Sequence, residues 1–101
     1  MALDFHRLDN NEYLFELDDS QYANVEIIFI EFKKQTGIYI DPYRDAKLSV
    51  THQKTIIQII DAYINKQNLT INKQQAMDII GFNALIKYFS RKGIELKVLG
   101  D

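Results

Sequence analysis

Thr36-Gly37-Ile38-Tyr39-Ile40-Asp41-Pro42-Tyr43-Arg44-Asp45 decides how the rest of the chain is read. Gly37 tolerates the left-handed backbone that closes a helix. Ile38-Tyr39-Ile40 is a short β-prone run, so a strand is expected there. Pro42 fixes its own φ, lacks an N–H and pushes Asp41 into extended backbone, which ends that strand. Asp41 and Asp45 then flank Tyr43 and Arg44 on a turn expected to be exposed.

Upstream, residues 22–36 carry a helical stripe of Tyr22, Val25, Ile28, Phe29 and Phe32, with Ile27 and Ile30 off it. Asp18-Asp19-Ser20 suits a helix start, Lys33-Lys34 suits the last turn, and Gly37 suits the stop. Helix is therefore preferred over residues 22–36. Val25–Ile30 is nevertheless β-prone, and a strand pairing with residues 37–41 is the alternative. Further upstream, Phe5-His6-Arg7-Leu8 and Tyr13-Leu14-Phe15-Glu16-Leu17 flank Asp9-Asn10-Asn11. Asparagine accepts positive φ, so this reads as a β-hairpin, its first strand the weaker of the two.

Downstream, Lys47-Leu48-Ser49-Val50 leads out of the turn, and Ser49 or Thr51 caps a helix over about 51–67. Ile56, Ile59, Ile60, Tyr63 and Ile64 form its apolar stripe. Asn68-Leu69-Thr70 breaks it and matches a glycosylation sequon, of little weight in a chain whose N-terminus does not read as a secretion signal. Asn72 caps a third helix that reaches about Lys92 and stops at Gly93. This helix is apolar on two sides: Met77, Ile80, Ala84 and Tyr88 on one, Ile79, Phe82, Ile86 and Phe89 on the other. Such a helix is sandwiched between layers, broken at Gly81, or covered by a partner. Ile94–Leu99 alternates and reads as the last strand. The expected fold is a single domain, 1–101, of the α+β class (a small α/β sheet). Three or four strands carry about three helices in the order β(β)-α-β-α-α-β.

Composition narrows the chemistry. The chain has 101 residues, 47% of them hydrophobic, enough for a real core. The absence of cysteine excludes disulfides and thiolate chemistry and fits a cytoplasmic setting. The longest apolar run, Ile27–Ile30, is far short of the ~20 residues a membrane helix needs. His6 and His52 belong to no spaced metal motif, and the glycines form no phosphate loop, so neither a metal nor a cofactor is expected. Asp41 and Asp45 offer a small hydrolase a general acid–base pair. Turn formation explains the same spacing more simply, and no catalytic residue is assigned. Lys87, Tyr88, Phe89, Arg91 and Lys92 mix bases with aromatics. A net charge of −2 and no basic stripe argue against direct nucleic-acid binding.

Charge is unevenly spread. Residues 1–31 hold eight acids and one base, and residues 46–101 hold four acids and eight bases. Such a distribution speaks to association rather than to fold.

The run Thr36-Gly37-Ile38-x-Ile40-Asp41-Pro42-Tyr43-x-Asp45-x-x-Leu48-Ser49, followed by an amphipathic helix and closed by Arg91-Lys92-Gly93-Ile94-Glu95-Leu96-Lys97-Val98-Leu99-Gly100-Asp101, resembles a set of small bacterial proteins. Many of these are encoded beside polymorphic toxins, including contact-dependent growth-inhibition systems, and act as immunity proteins. Arg44 departs from the pattern, which has a small residue after the tyrosine. The resemblance implies a non-enzymatic cytoplasmic protein that binds a cognate toxin domain, a basic nuclease above all, and needs neither small-molecule substrate nor membrane. On that reading Asp18, Asp19, Glu26, Glu31, Asp41, Tyr43 and Asp45 are the partner-binding candidates. The competing reading is a homodimeric regulatory module that buries the second apolar side of helix 72–92.

Overall fold

The hairpin forms where the asparagines allow it. β1 (Leu3–Arg7) and β2 (Tyr13–Leu17) pair antiparallel, with Leu3 opposite Leu17 and Phe5 opposite Phe15. At the turn Asn11 takes φ 62°, the Asn10 side chain accepts from the Glu12 N–H at 2.9 Å, and Arg7 grips Asp9 through two contacts of 3.0 Å. The remaining elements are α1 (Asp19–Thr36), β3 (Ala46–Leu48), α2 (Val50–Gln67), α3 (Lys73–Arg91) and β4 (Leu96–Gly100). They are seen in a computed structural model that describes residues 3–67 and 72–100. The Asn68-Leu69-Thr70 sequon lies outside the described residues.

Each helix starts and stops on local chemistry. Asp18 caps α1 reciprocally with Gln21, its carboxylate accepting from the Gln21 N–H at 2.8 Å while the Gln21 side chain accepts from the Asp18 N–H at 3.0 Å. Gly37 closes α1 at φ 78°, its N–H reaching the Lys33 carbonyl at 2.8 Å. Ser49 and His52 cap α2 in the same reciprocal way: Ser49 Oγ accepts from the His52 N–H at 3.1 Å, and His52 Nδ1 accepts from the Ser49 N–H at 3.3 Å. His52 thus stands where a capping box normally has Glu or Gln, and Nδ1 must be unprotonated to serve. Asn72 caps α3 through the Gln75 N–H at 2.7 Å.

The strand order is β2-β1-β4-β3, antiparallel throughout. The expected α+β class and element order hold, with four strands and three helices among the described residues. One sheet face carries Leu3, Phe5, Leu48, Leu96 and Val98, all fully buried, while Asp4, His6 and Lys97 alternate onto the other. The buried face meets Val25, Ile28, Phe29 and Phe32 of α1, Ile56, Ile59 and Ile60 of α2, and Ile79, Phe82, Ile86 and Phe89 of α3 in one core. Phe5 stacks on Phe15 at 4.4 Å between centroids and meets Phe82 edge-on at 5.7 Å, and Phe82 in turn meets Phe29 at 5.4 Å.

One expectation needs correction. The strand expected at Ile38-Tyr39-Ile40 does not form, and the third strand is Ala46–Leu48 instead. The open edge of β4 is taken by Ala46, Lys47 and Leu48, which pair with Val98, Lys97 and Leu96. Ile38–Ile40 is therefore irregular, with Ile38 bonded through its N–H to Thr36 Oγ1 at 3.1 Å. Its alternation survives as packing: Ile40 is buried, Ile38 is half-buried and Tyr39 points outward. Of the readings open for α3, the break at Gly81 is not taken: the helix runs unbroken through it, and its two apolar sides belong to one continuous helix.

Gln53 ties these layers together. It is fully buried in the first turns of α2, and its Nε2 donates to the Leu48 carbonyl at 3.2 Å and to the Ile94 carbonyl at 2.8 Å. One amide thus ties the end of β3 and the segment that leads into β4 to α2. Gln53→Ala removes both bonds and opens a cavity, and is expected to cost roughly 2–4 kcal/mol in urea unfolding. A change under about 0.5 kcal/mol, the range of an ordinary surface substitution, would remove Gln53 from this role.

Candidate functional site

The stripe Asp18, Tyr22, Glu26 recurs every fourth residue, so one side of α1 presents two carboxylates and a phenol in line. The loop 37–45 comes back along this side. Ile40 anchors it in the core, and Tyr39 stands outward with Lys33 Nζ 4.1 Å and Arg44 Cζ 4.0 Å from its ring centroid. Asp41 Oδ1 accepts from the Tyr43 N–H at 2.8 Å, closing an Asx turn, and Oδ2 lies 3.5 Å from Arg44 Nε. Arg44, the departure from the resemblance, is thereby held between Asp41 and the Tyr39 ring.

The loop is pinned to the sheet from below. Asp45 Oδ1 accepts from the Gly100 N–H at 3.2 Å. A Cβ on Gly100 would fall 2.7 Å from the carbonyl carbon and oxygen of Pro42 and 2.8 Å from the Arg44 nitrogen. No side chain fits there without moving the loop.

Between helix and loop lies a notch of about 140 Å³ lined by Tyr22, Glu26, Phe29, Lys33, Tyr39 and Asp41 among others. Burial pushes the Tyr22 phenol up to about 12, helped by the charges of Glu26 and Asp41, a hydrogen bond to Glu26, and Tyr43. That response places both acids within electrostatic reach of one hydroxyl. Tyr43 beside them is 78% exposed, the most open of the large exposed hydrophobic side chains.

The seven candidate residues therefore divide. Glu26 and Asp41 share the notch, and Tyr43, bonded through its N–H to Asp41, follows on the exposed turn. Asp18 lies on the same side of α1, one turn beyond Tyr22, with its carboxylate engaged in the helix cap. Asp19 is exposed in the first turn. Glu31 accepts from Gln35 at 3.1 Å and lines a different groove, about 490 Å³ between α1 and α2, with Ile27, Lys34, Tyr63 and Lys66. Asp45 is spent on Gly100. Asp41 and Asp45 each accept from a backbone N–H, as turn formers do. Sequence reading missed Tyr22, placed in the core stripe, and Tyr39, placed in a strand. The four-residue spacing of Tyr22 and Glu26 was the available signal.

The notch is mixed in charge: Glu26 and Asp41 line it together with Lys33, the Tyr39 ring already carries Lys33 and Arg44, and Glu26 is the carboxylate of the pair without a cation from the loop. Among the described residues, no three His, Asp or Glu side chains converge on a metal site, and no helix is long and apolar enough to cross a membrane.

The Tyr22 phenol gives a pH signature. An unfolded chain releases this proton near pH ~10, whereas the folded chain holds it to about 12. Stability is therefore full below pH ~10 and falls as pH rises through about 12, because the unfolded state deprotonates first. Tyr22→Phe is expected to flatten that alkaline decline in thermal melts and to delete an absorbance step near 12 in a tyrosinate titration. Loss of a step near pH ~10 instead would show a phenol that neither burial nor the notch perturbs.

Compared with known proteins, the chain matches no protein-family model, no curated protein sequence and no solved structure.

Proposed function

We propose that the chain is a bacterial immunity protein that binds a cognate toxin domain, a basic nuclease, and neutralises it by covering its active site or substrate surface. The observation that carries this reading is the convergence of Glu26 and Asp41 with Tyr22, Tyr39 and the exposed Tyr43. Nucleases are basic where they hold a polyanion, so a carboxylate-rich face competes for the same surface. Tyrosines supply contact area at low entropic cost and dominate binding energy where they fill a pocket. The Asx turn and the Gly100 contact hold this face in advance, which lowers the ordering cost of association. The work requires no catalysis and no cofactor, and it belongs in the cytoplasm, where an immunity protein meets an incoming toxin.

The neighbouring reading frame supplies the test. Its C-terminal domain is expected to be basic and toxic when expressed alone, and harmless when co-expressed with this chain. Glu26→Lys is expected to weaken binding at least tenfold at low salt, about 1.4 kcal/mol, and less at high salt. Tyr43→Ala is expected to cost about 2 kcal/mol at any ionic strength if it is a hot-spot anchor. Calorimetric titration reads both. Unchanged affinity in both variants would remove this face from the interface, and a neighbour with no toxicity would remove the immunity reading.

A further inference from the structure

Arg44 is held by groups that belong to the notch. Its Cζ lies 4.0 Å from the Tyr39 ring centroid and its Nε 3.5 Å from Asp41 Oδ2, and both Tyr39 and Asp41 line the notch. The side chain hangs from a fixed pivot. The Arg44 N–H donates to the Asp41 carbonyl at 3.4 Å, and the Arg44 nitrogen is so near Gly100 that a Cβ there would fall 2.8 Å from it. Beyond the backbone the side chain is 56% exposed. An exposed ion pair and an exposed cation–π contact are each weak, so the guanidinium can leave at little cost while the turn stays in place.

Resting on the docking role proposed for this notch, we infer that Arg44 is an internal competitor there. It occupies the places on Asp41 and the Tyr39 ring that an arginine side chain of the partner takes, and it swings out to solvent when the partner binds. Charge requires this exchange. The acids Glu26 and Asp41 are matched in the free chain by Lys33 and Arg44, so a further cation gains little until one of these leaves. Lys33 reaches the Tyr39 ring and pairs with no carboxylate among the described residues. Arg44 is the cation on Asp41, and only its departure frees that carboxylate.

Glu26 supplies the gain. At Asp41 and Tyr39 the exchange trades one cation for another and is close to neutral. Glu26 takes a hydrogen bond from Tyr22 but no cation from the loop, so the incoming charge is the first to meet it. The chemistry of the outgoing group also selects the incoming one. A guanidinium carries its donors in a planar fork and stacks on aromatic faces, whereas an ammonium is a compact, strongly hydrated point charge. A side chain that replaces a guanidinium on the Tyr39 ring and pairs with these acids is therefore arginine rather than lysine. Arg44 in this way sets a threshold. A partner with scattered lysines does not displace it, and one with an arginine placed over the notch does.

Tetra-arginine amide and tetra-lysine amide, titrated into the nitrogen-15-labelled full chain at fixed ionic strength, test this without the toxin. The amides of Tyr39, Asp41 and Tyr43 report the notch, and the Gly100 amide reports whether the turn has stayed in place. Arg44→Ala is expected to bind the arginine peptide roughly 3- to 10-fold tighter than the unaltered chain, to gain less with the lysine peptide, and to leave the Gly100 resonance where it was. Glu26→Gln added to Arg44→Ala is expected to lose most of that gain. Lys92→Ala removes the same charge from the end of α3 and is expected to leave both affinities almost unchanged. The inference is overturned by an arginine peptide that does not perturb the notch or by an Arg44→Ala chain that binds it no tighter. A gain shared equally by both peptides or by Lys92→Ala overturns it too, since net charge alone would then explain the effect. A displaced Gly100 resonance in Arg44→Ala does the same, because Arg44 would then be a support of the turn. A neighbouring reading frame without toxicity removes the immunity reading alone and leaves the peptide result standing.

Discussion

The close approach of Gly100 to Pro42 positions the turn that borders the notch. β4 lies between β1 and β3, and its last described residue sits so near the 41–45 turn that only glycine fits. The Gly100 N–H is satisfied by Asp45, and Ile40 is held in the core on the other side of the turn. Asp41, Tyr43 and Arg44 thus hang from the sheet rather than from a free loop. Gln53 makes the complementary tie, since it holds the carbonyls that end β3 and precede β4. The acidic notch is in consequence a product of the whole sheet, although its lining comes from α1 and one loop.

Much of the fold was legible because local chemistry and global packing agree. The Asp18 cap, the Lys33-Lys34 pair and Gly37 outweighed the β-prone run Val25–Ile30, and α1 is a helix. Asn11 at positive φ and the Asn72 cap behave as their residue types require. The error at Ile38–Ile40 has a specific cause. Alternation reports which side chains turn inward, and Ile40 does so, but a strand also needs an unpaired edge, and β3 occupies that edge. β3 itself spans three residues, too few to show any period.

The candidate site was legible in its charges but not in its grouping. Charge counting treated Asp18, Glu31 and Asp45 as equal to Glu26 and Asp41. The structure gives Asp18 and Asp45 structural tasks, a helix cap and a strand-end bond, and sends Glu31 to the α1–α2 groove. Tyr22 and Tyr39 were missed because a tyrosine on an apolar stripe or in a β-prone run looks like core. Only the return of loop 37–45 along α1 turns them into lining. Ile27 and Ile30, both off the predicted stripe, are exposed as that stripe implied.

The central claim is that the notch between α1 and the 37–45 loop is where a basic protein partner docks. Nitrogen-15 correlation spectra of the labelled chain, recorded as the domain proposed as its cognate toxin is added, test it most directly. The account predicts that shifts and broadening centre on Tyr22, Glu26, Tyr39, Asp41 and Tyr43, with α3 resonances little changed. Perturbations confined to the α1–α2 groove or to the exposed face of α3 would contradict it.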